Sequence, residues 1–561
     1  MVKRILRLFN AEFSGLHKAA LVLAISSIIS AIFGLFRDRL LAGAFGASQS
    51  LDIYYAAFKI PDLIYVASLF LVSVNTIIPL LLEKVSLSKG EAKRFLDNIF
   101  SFFLFIIFLL TVAAFFVIPY LTELTAPGFS GEAKGQLIMI TRVLLLSPLF
   151  LGLSNLISSV IQSYNKFFIY ALSPIFYNLG IIAGIVFLLP VWGIKGIAAG
   201  VIVGAFLHFS IQIPSILKLG LLPRLDFRFN FKEIGKVAML SFPRALGLGI
   251  NQIILIFITA TASLVGSGSI AIFNLSFNLQ SVPLAVIGMS FSVAAFPTMS
   301  NLFVNNKRKE FIEHAAVALR QIVFWSIPAS ALIIVLRAQI VRVIFGSGRF
   351  GWNDTRLTAA ALAIFAFSIT AQSIIVLLVR SFYASGKTWR PIAVNMVSAV
   401  LIIGAVPLLI KIFKGYGFFT AFFSNVLRID NADGAMMLAL PSAFSAGMIV
   451  NALILIYMFE KEFGGIVFST RKTFIDVIGA SLIMSFVSYV FLRFLDDVFN
   501  INTFVGISSQ GFISALAGVA AFIFVLRSAR NKELGEISVS LKNKFWRTPV
   551  VAPEPEAIEK Q

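Results

Sequence analysis

Fourteen stretches of this 561-residue sequence are apolar over the width of a bilayer, and nothing else in the chain limits its fold as strongly. They lie at 19–36, 52–82, 98–118, 137–163, 167–190, 196–216, 237–264, 269–300, 317–344, 358–384, 391–410, 437–458, 473–495 and 504–526, and are called spans 1 to 14. A helix crossing the hydrocarbon core takes about 20 mostly apolar residues. With no water in that core, each span has to satisfy its own backbone hydrogen bonds, which helices do. The expected fold class is an all-α polytopic membrane protein with about 14 transmembrane helices.

The loops fix an orientation. With the N-terminus in the cytoplasm, segments 83–97, 164–166, 217–236, 301–316, 385–390 and 459–472 fall inside together with both chain ends. Those inside segments hold 29 of the 46 Lys and Arg, the bias that orients membrane proteins. The net charge of +20 therefore reads as topology and anionic-lipid contact. In a soluble domain it would suggest nucleic acid. No basic stripe interleaved with aromatics lies outside the spans, and no nucleic-acid partner is expected. Residues 1–18 lack a small-residue cleavage site and read as a retained cytoplasmic segment. The tail, 529–561, ends in VAPEPEAIEKQ, is polar and charged, and is expected to be disordered.

The chain also repeats itself. Pro174 and Asn178 open span 5 as Pro391 and Asn395 open span 11, and Ser163-Tyr164 matches Ser381-Phe382 just upstream. GASQS before the Pro61 span matches GSGS before the Pro283 span. An offset of roughly 220 residues relates spans 1–6 to spans 7–12, as in transporters built from repeated bundles. Two six-helix bundles are expected, 19–230 and 231–465, with spans 13 and 14 (466–528) outside the repeat.

Ionisable residues inside spans cost about 3 kcal/mol each on insertion scales, so they pair or face a wet cavity. Arg37, Asp38 and Arg39 are consecutive near the end of span 1. Asp52, Lys59 and Asp62 follow on span 2 at spacings of seven and three, which keeps them near one helical face. Two neighbouring helices thus offer charge to a shared space. Arg244, Asn251 and Gln252 on span 7, and Asn274, Asn278 and Ser281 on span 8, form further polar faces at helical spacing. Asn and Gln between membrane helices also serve as packing glue. Pro61, Pro148, Pro243, Pro283 and Pro328 predict bent helices.

Catalytic signals are poor. The chain has no cysteine for thiolate chemistry, and its three histidines are too scattered for a metal site. It carries no Walker, GxSxG or HExxH motif. Asp496-Asp497 reads as a solvated helix end. An enzyme is not expected, nor a cofactor; the energy for any transport would come from membrane potential, an ion gradient or downstream consumption.

The stretch GLFRDRLLAGAFGASQSLDIYYAAFKIPDL, 34–63, resembles the first two helices of the MurJ/MviN family. TAPGF at 125–129, NKF at 165–167 with Pro174 and Asn178, LPRLDF at 222–227 and RSFYASGKTWRP at 380–391 extend the resemblance in order to about residue 400. The family belongs to the multidrug/oligosaccharidyl-lipid/polysaccharide exporter superfamily. The resemblance implies a lipid II flippase of the bacterial cytoplasmic membrane; a monomer is expected. It would carry undecaprenyl-diphosphate-linked disaccharide-pentapeptide from the inner to the outer leaflet between two lobes enclosing a cationic cavity. It also implies that spans 13 and 14 form a groove for the lipid tail.

Carried over by position, Arg37 and Asp38 match the family's R-D pair and Asp52 its span 2 acid. Ala31, Tyr65, Val66 and Asn278 stand where well-studied members carry arginine. Arg39, Lys59 and Arg244 are the expected substitutes, and the diphosphate is expected at the Arg37 cluster. Other readings remain open at this point. One is a flippase for another polyprenyl-linked glycan, one a cation-coupled multidrug exporter, one a membrane glycosyltransferase, and one a scaffold without ligand.

Overall fold

The computed structural model describes residues 16–164, 166–415, 421, 425, 427 and 432–536. Most of the N-terminal segment expected in the cytoplasm, the end of the tail and much of the loop between spans 11 and 12 lie outside the described residues, as does Asn165 of the NKF match. Within them the chain is helical, with no strand.

Thirteen helices among the described residues are long and apolar enough to cross a membrane, corresponding to spans 2 to 14. Span 1 is the 30-residue helix Leu16–Phe45. It continues well past residue 36, so Arg37, Asp38 and Arg39 sit inside the helix rather than at its outer end. An apolar run stops at the first charge, whereas a helix continues wherever its backbone bonds and packing continue.

Some breaks fall near proline, which removes a backbone donor and crowds the preceding turn, whereas Phe231–Val265 and Arg308–Val335 run unbroken through Pro243 and Pro328, and the break at Ser73 has no proline beside it. Span 2 is three helices, Gln49–Ala57, Lys59–Val72 and Val74–Leu87, with Pro61 just after the first break. Span 4 breaks at Leu145, three residues before Pro148. Span 8 passes at Pro283 from Ser269–Pro283 into a π-helical segment, Leu284–Met289. Spans 5 and 6 pack backbone to backbone: a Cβ on Gly180 would lie 2.2 Å from the Cα of Gly204, and one on Gly200 2.5 Å from that of Gly184. Such small-residue stripes let membrane helices gain van der Waals contact without a hydrophobic driving force.

The cores show how spans 1–6 and 7–12 meet. One core, at the end away from the basic loops, draws on both halves: Leu41, Leu51, Ile140 and Val201 pack with Ile258, Ile272, Phe345 and Phe365. Toward the basic loops there are two. Leu96, Phe103, Val160 and Ile216 fill the first half, joined by the start of span 7, and Phe311, Phe382 and Phe459 fill the second. There the halves are joined along span 2 and span 7, where Lys84 meets Glu233 at 2.7 Å and Lys236 meets Glu83 at 3.2 Å. Among the described residues, spans 4–6 share no extensive packing with spans 10–12. Toward the basic-loop end the halves thus keep separate cores and meet along spans 2 and 7.

Spans 13 and 14 pair with each other and lean on span 9, where Phe324 packs with Val477, Met484 and Phe522. Asp496 is not simply a solvated helix end. Its Oδ1 accepts from Nε2 of Gln510 at 2.6 Å and ties the two spans together.

Candidate functional site

Consecutive residues on a helix point about 100° apart, so the three charges of span 1 go to three places. The Arg37 guanidinium donates from Nε and Nη2 to Oδ1 of Asp38, at 2.9 and 2.7 Å. Its Nη1 donates to Oδ1 of Asn178 on span 5 at 3.2 Å. The other Asp38 oxygen accepts from Nδ2 of Asn278 on span 8 at 2.9 Å. Asp38 is buried, with 2% of its surface exposed, and both its oxygens are taken. The pair is thus charge-balanced and links spans 1, 5 and 8.

Arg39 leaves this cluster. Its Nη1 donates to the carbonyls of Val343 and Ile344, at 2.6 and 2.9 Å, and its guanidinium lies 5.9 Å from the Phe504 ring of span 14. These carbonyls end the short helix Arg337–Phe345. A cation there satisfies acceptors that the helix cannot and complements its dipole. The geometry offers Arg39 a capping position instead of a place in a shared cavity with Arg37.

Asp52 is fully buried. Its oxygens accept from the backbone N–H of Gly268 and Ala271, at 2.6 and 2.7 Å, at the start of the helix Ser269–Pro283. That helix begins on Gly268, which has no side chain to cap it and adopts φ +85°. A Cβ at Gly268 would lie 2.3 Å from the carbonyl oxygen of Ala47. Glycine is needed there, and the missing cap comes from the other half of the molecule.

About two turns further along, Lys59 Nζ donates to Oδ1 of Asn274 at 3.4 Å, and Gln252 Nε2 donates to the Lys59 carbonyl at 3.3 Å. Asp52 and Lys59 therefore face the same partner helix, as their spacing predicts. Asp62 is half-buried and lies within the electrostatic reach of Lys59.

Arg244 stands apart from the Arg37 pair. It is exposed and makes no hydrogen bond or ion pair among the described residues.

Several residues of this region escaped the sequence reading. Tyr54 and Tyr55 are buried on the first helix of span 2 with their rings 5.4 Å apart, and the Tyr55 hydroxyl has no hydrogen-bond partner among the described residues. Tyr65 receives a 2.7 Å hydrogen bond from Asn155. Asn178 stood in the sequence as half of a repeat and as part of the family resemblance, not as a site residue. Its counterpart Asn395 accepts from Asn451 at 3.0 Å, a packing contact between spans 11 and 12. Hydroxyls and amides inside spans are common enough that type alone does not select these.

A helical membrane protein of two repeated halves, joined at one end and parted at the other around a buried ion pair, has the architecture of an exporter. The fold resembles the solved inward-facing conformation of a multidrug resistance MATE family transporter of the MOP superfamily. The TM-score is 0.63 at 14% identity, covering 80% of this chain and 98% of that one.

The family model described as "Lipid II flippase MurJ" matches residues 41–509, and the chain belongs to that family. A "Probable lipid II flippase MurJ" of Buchnera aphidicola subsp. Schizaphis graminum is 31% identical over 410 residues, covering 71% of this chain and 79% of the relative. One from Buchnera aphidicola subsp. Acyrthosiphon pisum is 28% identical over 518 residues, covering 91% and 97%. The solved structure "Lipid II flippase MurJ, inward closed conformation" gives a TM-score of 0.73 at 26% identity, covering 91% of this chain and all of that one.

Proposed function

We propose that this protein moves the lipid-linked peptidoglycan precursor lipid II from the inner to the outer leaflet of the bacterial inner membrane by alternating access. The observation that carries the reading is the Arg37–Asp38 pair, bound to both halves of the molecule; the reading places a cleft between the separate cores toward the basic loops. Both termini are cytoplasmic on the charge bias of the loops, so the cleft opens to the side where the precursor is made. In this reading the two halves act as lobes that rock about their shared contacts. Breaking the outer core and the Asp52 cap while closing the cleft would turn the headgroup outward.

Arg37 suits a diphosphate through its planar fork. Asp38 holds that fork until substrate competes for it. Tyr55 offers a hydroxyl with no present partner. The prenyl tail stays in lipid, along the groove assigned to spans 13 and 14, whose outward faces carry Phe486, Phe512 and Phe524. The protein works as a single chain, and transport is driven by membrane potential, an ion gradient or consumption of product. Asp52 and Arg39 hold helix ends in this scheme, and Lys59, Asp62, Gln252, Asn274 and Asn278 line the path between the halves.

The test is native mass spectrometry of the purified protein with lipid II, another polyprenyl-diphosphate glycan and a lipid lacking diphosphate. Preference for lipid II, together with its flipping in reconstituted vesicles, supports the reading. Equal binding and flipping of both glycan lipids favours a broader glycan flippase. The residues Ala31, Tyr65, Val66 and Asn278, in place of the family's arginines, keep that second reading in play.

A further inference from the structure

Past the end of span 14 the chain turns back on the protein. Arg530 has φ +49°, the left-handed conformation that reverses a chain after a helix. Asn531 then caps the next turn. Its Oδ1 accepts from the N–H of Leu534 at 3.2 Å, and its Nδ2 donates to Oδ2 of Asp476 on span 13, also at 3.2 Å. Leu534 joins the apolar seam of Phe324, Val477, Met484 and Phe522 that holds spans 13 and 14 against span 9. This return brings Glu533 between spans 9 and 13, where it is 3% exposed. Its Oε1 forms an ion pair with Nε of Arg320 on span 9 at 3.2 Å and accepts from Oγ1 of Thr473 on span 13 at 2.7 Å. Arg320 also donates from Nη1 to Oγ of Ser469, again on span 13, at 2.6 Å.

The other end of the pair is fixed to the same half. Gln339, on the short helix Arg337–Phe345, donates from Nε2 to Oε1 of Gln510 on span 14 at 3.3 Å. Spans 13 and 14 are thus bonded to the second half at both ends, with the apolar seam between. Toward the first half they share no extensive packing among the described residues, and the Arg39 guanidinium reaches across to within 5.9 Å of the Phe504 ring. Lipid tails are as apolar as leucine, so an apolar seam gains little by leaving lipid and sets no firm register. A buried guanidinium–carboxylate pair does set one, because parting it leaves each charge without its partner.

We propose that residues 529–536 are a latch that makes spans 13 and 14 one moving body with the second half, and that Glu533 is a positioning residue for the prenyl-chain groove. The inference rests on the flippase reading. When the halves rock, the groove travels with the second half, and the Arg39–Phe504 contact is the one that gives way. The prenyl chain keeps its register with the second half while the headgroup passes between the halves. Without the latch the two spans slide along their seam. Headgroup contacts then survive, and the chain loses its place.

The test uses the full-length protein in vesicles, with spin labels on introduced cysteines, since the natural chain has none. Phe512→Cys on span 14 is paired with Met396→Cys on span 11, and separately with Phe108→Cys on span 3; all three side chains are exposed. Added lipid II should leave the 396–512 distance unchanged and shift the 108–512 distance. Shifts of equal size overturn the single body. Glu533→Gln should broaden the 396–512 distribution, and an unchanged distribution overturns the latch. Native mass spectrometry then compares lipid II with a farnesyl-chain analogue of the same headgroup. With unlatched spans in place about a tenth of the time, Glu533→Gln binds lipid II about tenfold more weakly, and the farnesyl analogue changes less than about twofold. The swap Arg320→Glu/Glu533→Arg should restore lipid II binding, because the Thr473 and Ser469 hydroxyls donate to or accept from either charge. Equal losses for both lipids, or a swap no better than Glu533→Gln, overturn the positioning role. Thr473→Val removes one bond and keeps the ion pair, so it carries the same comparison should Glu533→Gln not fold. A wild-type protein that binds neither lipid overturns the flippase reading, and the broadening in Glu533→Gln still decides the latch.

Discussion

Asn278 donates from Nδ2 to Oδ2 of Asp38 at 2.9 Å, across 240 positions of sequence and from one half of the molecule to the other. Arg37 holds the second oxygen of the same carboxylate, so one buried anion joins span 1 to span 8. A hydrogen bond to a charged group contributes about 2 kcal/mol, enough to shift a two-state equilibrium about thirtyfold. In the proposed orientation, the state with the outer end closed is the one this bond stabilises.

Replacing Asn278 with Ala is expected to favour opening of the outer end. The natural chain has no cysteine, so a single introduced thiol reports cleanly. Leu51→Cys, at a fully buried position of the shared core, should label slowly with an impermeant maleimide added outside. In the Asn278→Ala background the rate should rise several-fold. An unchanged rate would show that this bond does not hold the halves together.

Restoring the family's arginine makes the opposite test of the site. In Asn278→Arg, Asp38 is shared between two guanidinium groups and the site gains a net positive charge. Lipid II should then bind more tightly than to wild type, and the monophosphate lipid should gain less. Binding titrations that show equal gains for both lipids would place the new charge away from the phosphates.

The buried pair itself predicts non-additivity. Asp38→Asn leaves Arg37 without its counter-charge, which costs about 3–5 kcal/mol for a buried partner. The double variant Arg37→Gln/Asp38→Asn removes both charges and should be the more stable of the two. Thermal unfolding of wild type, both single variants and the double variant completes the cycle. Transport should fail in all three variants, since Arg37 or its release is lost each time.

Asp52 should behave as a helix cap that happens to sit on another helix. Asp52→Ala strands the N–H groups of Gly268 and Ala271 and is expected to cost about 1–2 kcal/mol. Asp52→Asn keeps one acceptor and should lose less. Both are read as a drop in melting temperature, and Asp52→Ala should also speed labelling of Leu51→Cys.

The glycine stripe between spans 5 and 6 gives a purely structural control. Gly200→Val puts atoms where the Gly184 backbone lies and should push the two helices apart. Overpacking of this kind costs about 1–3 kcal/mol. Melting temperature should fall, with lipid II affinity unchanged in the fraction that remains folded.

The sequence by itself determined the class of protein and the inventory of its site. Bilayer-length apolar runs leave only helices as spanning elements, loop charge orients them, and a charge inside a span has to meet another polar group. Periodicity placed Asp52 and Lys59 on one face, and that face does meet span 8. Hydropathy and periodicity are properties of one helix, however, and they do not say which helix lies opposite. Tertiary structure alone decided that Arg37 is neutralised by its own neighbour and that Arg39 turns away to cap Arg337–Phe345. It also decided that Asp52 caps a helix of the other half. Electrostatic function depends on which charges are already compensated. Compensation is a matter of ångströms between elements far apart in sequence, so it exists only once the chain has folded.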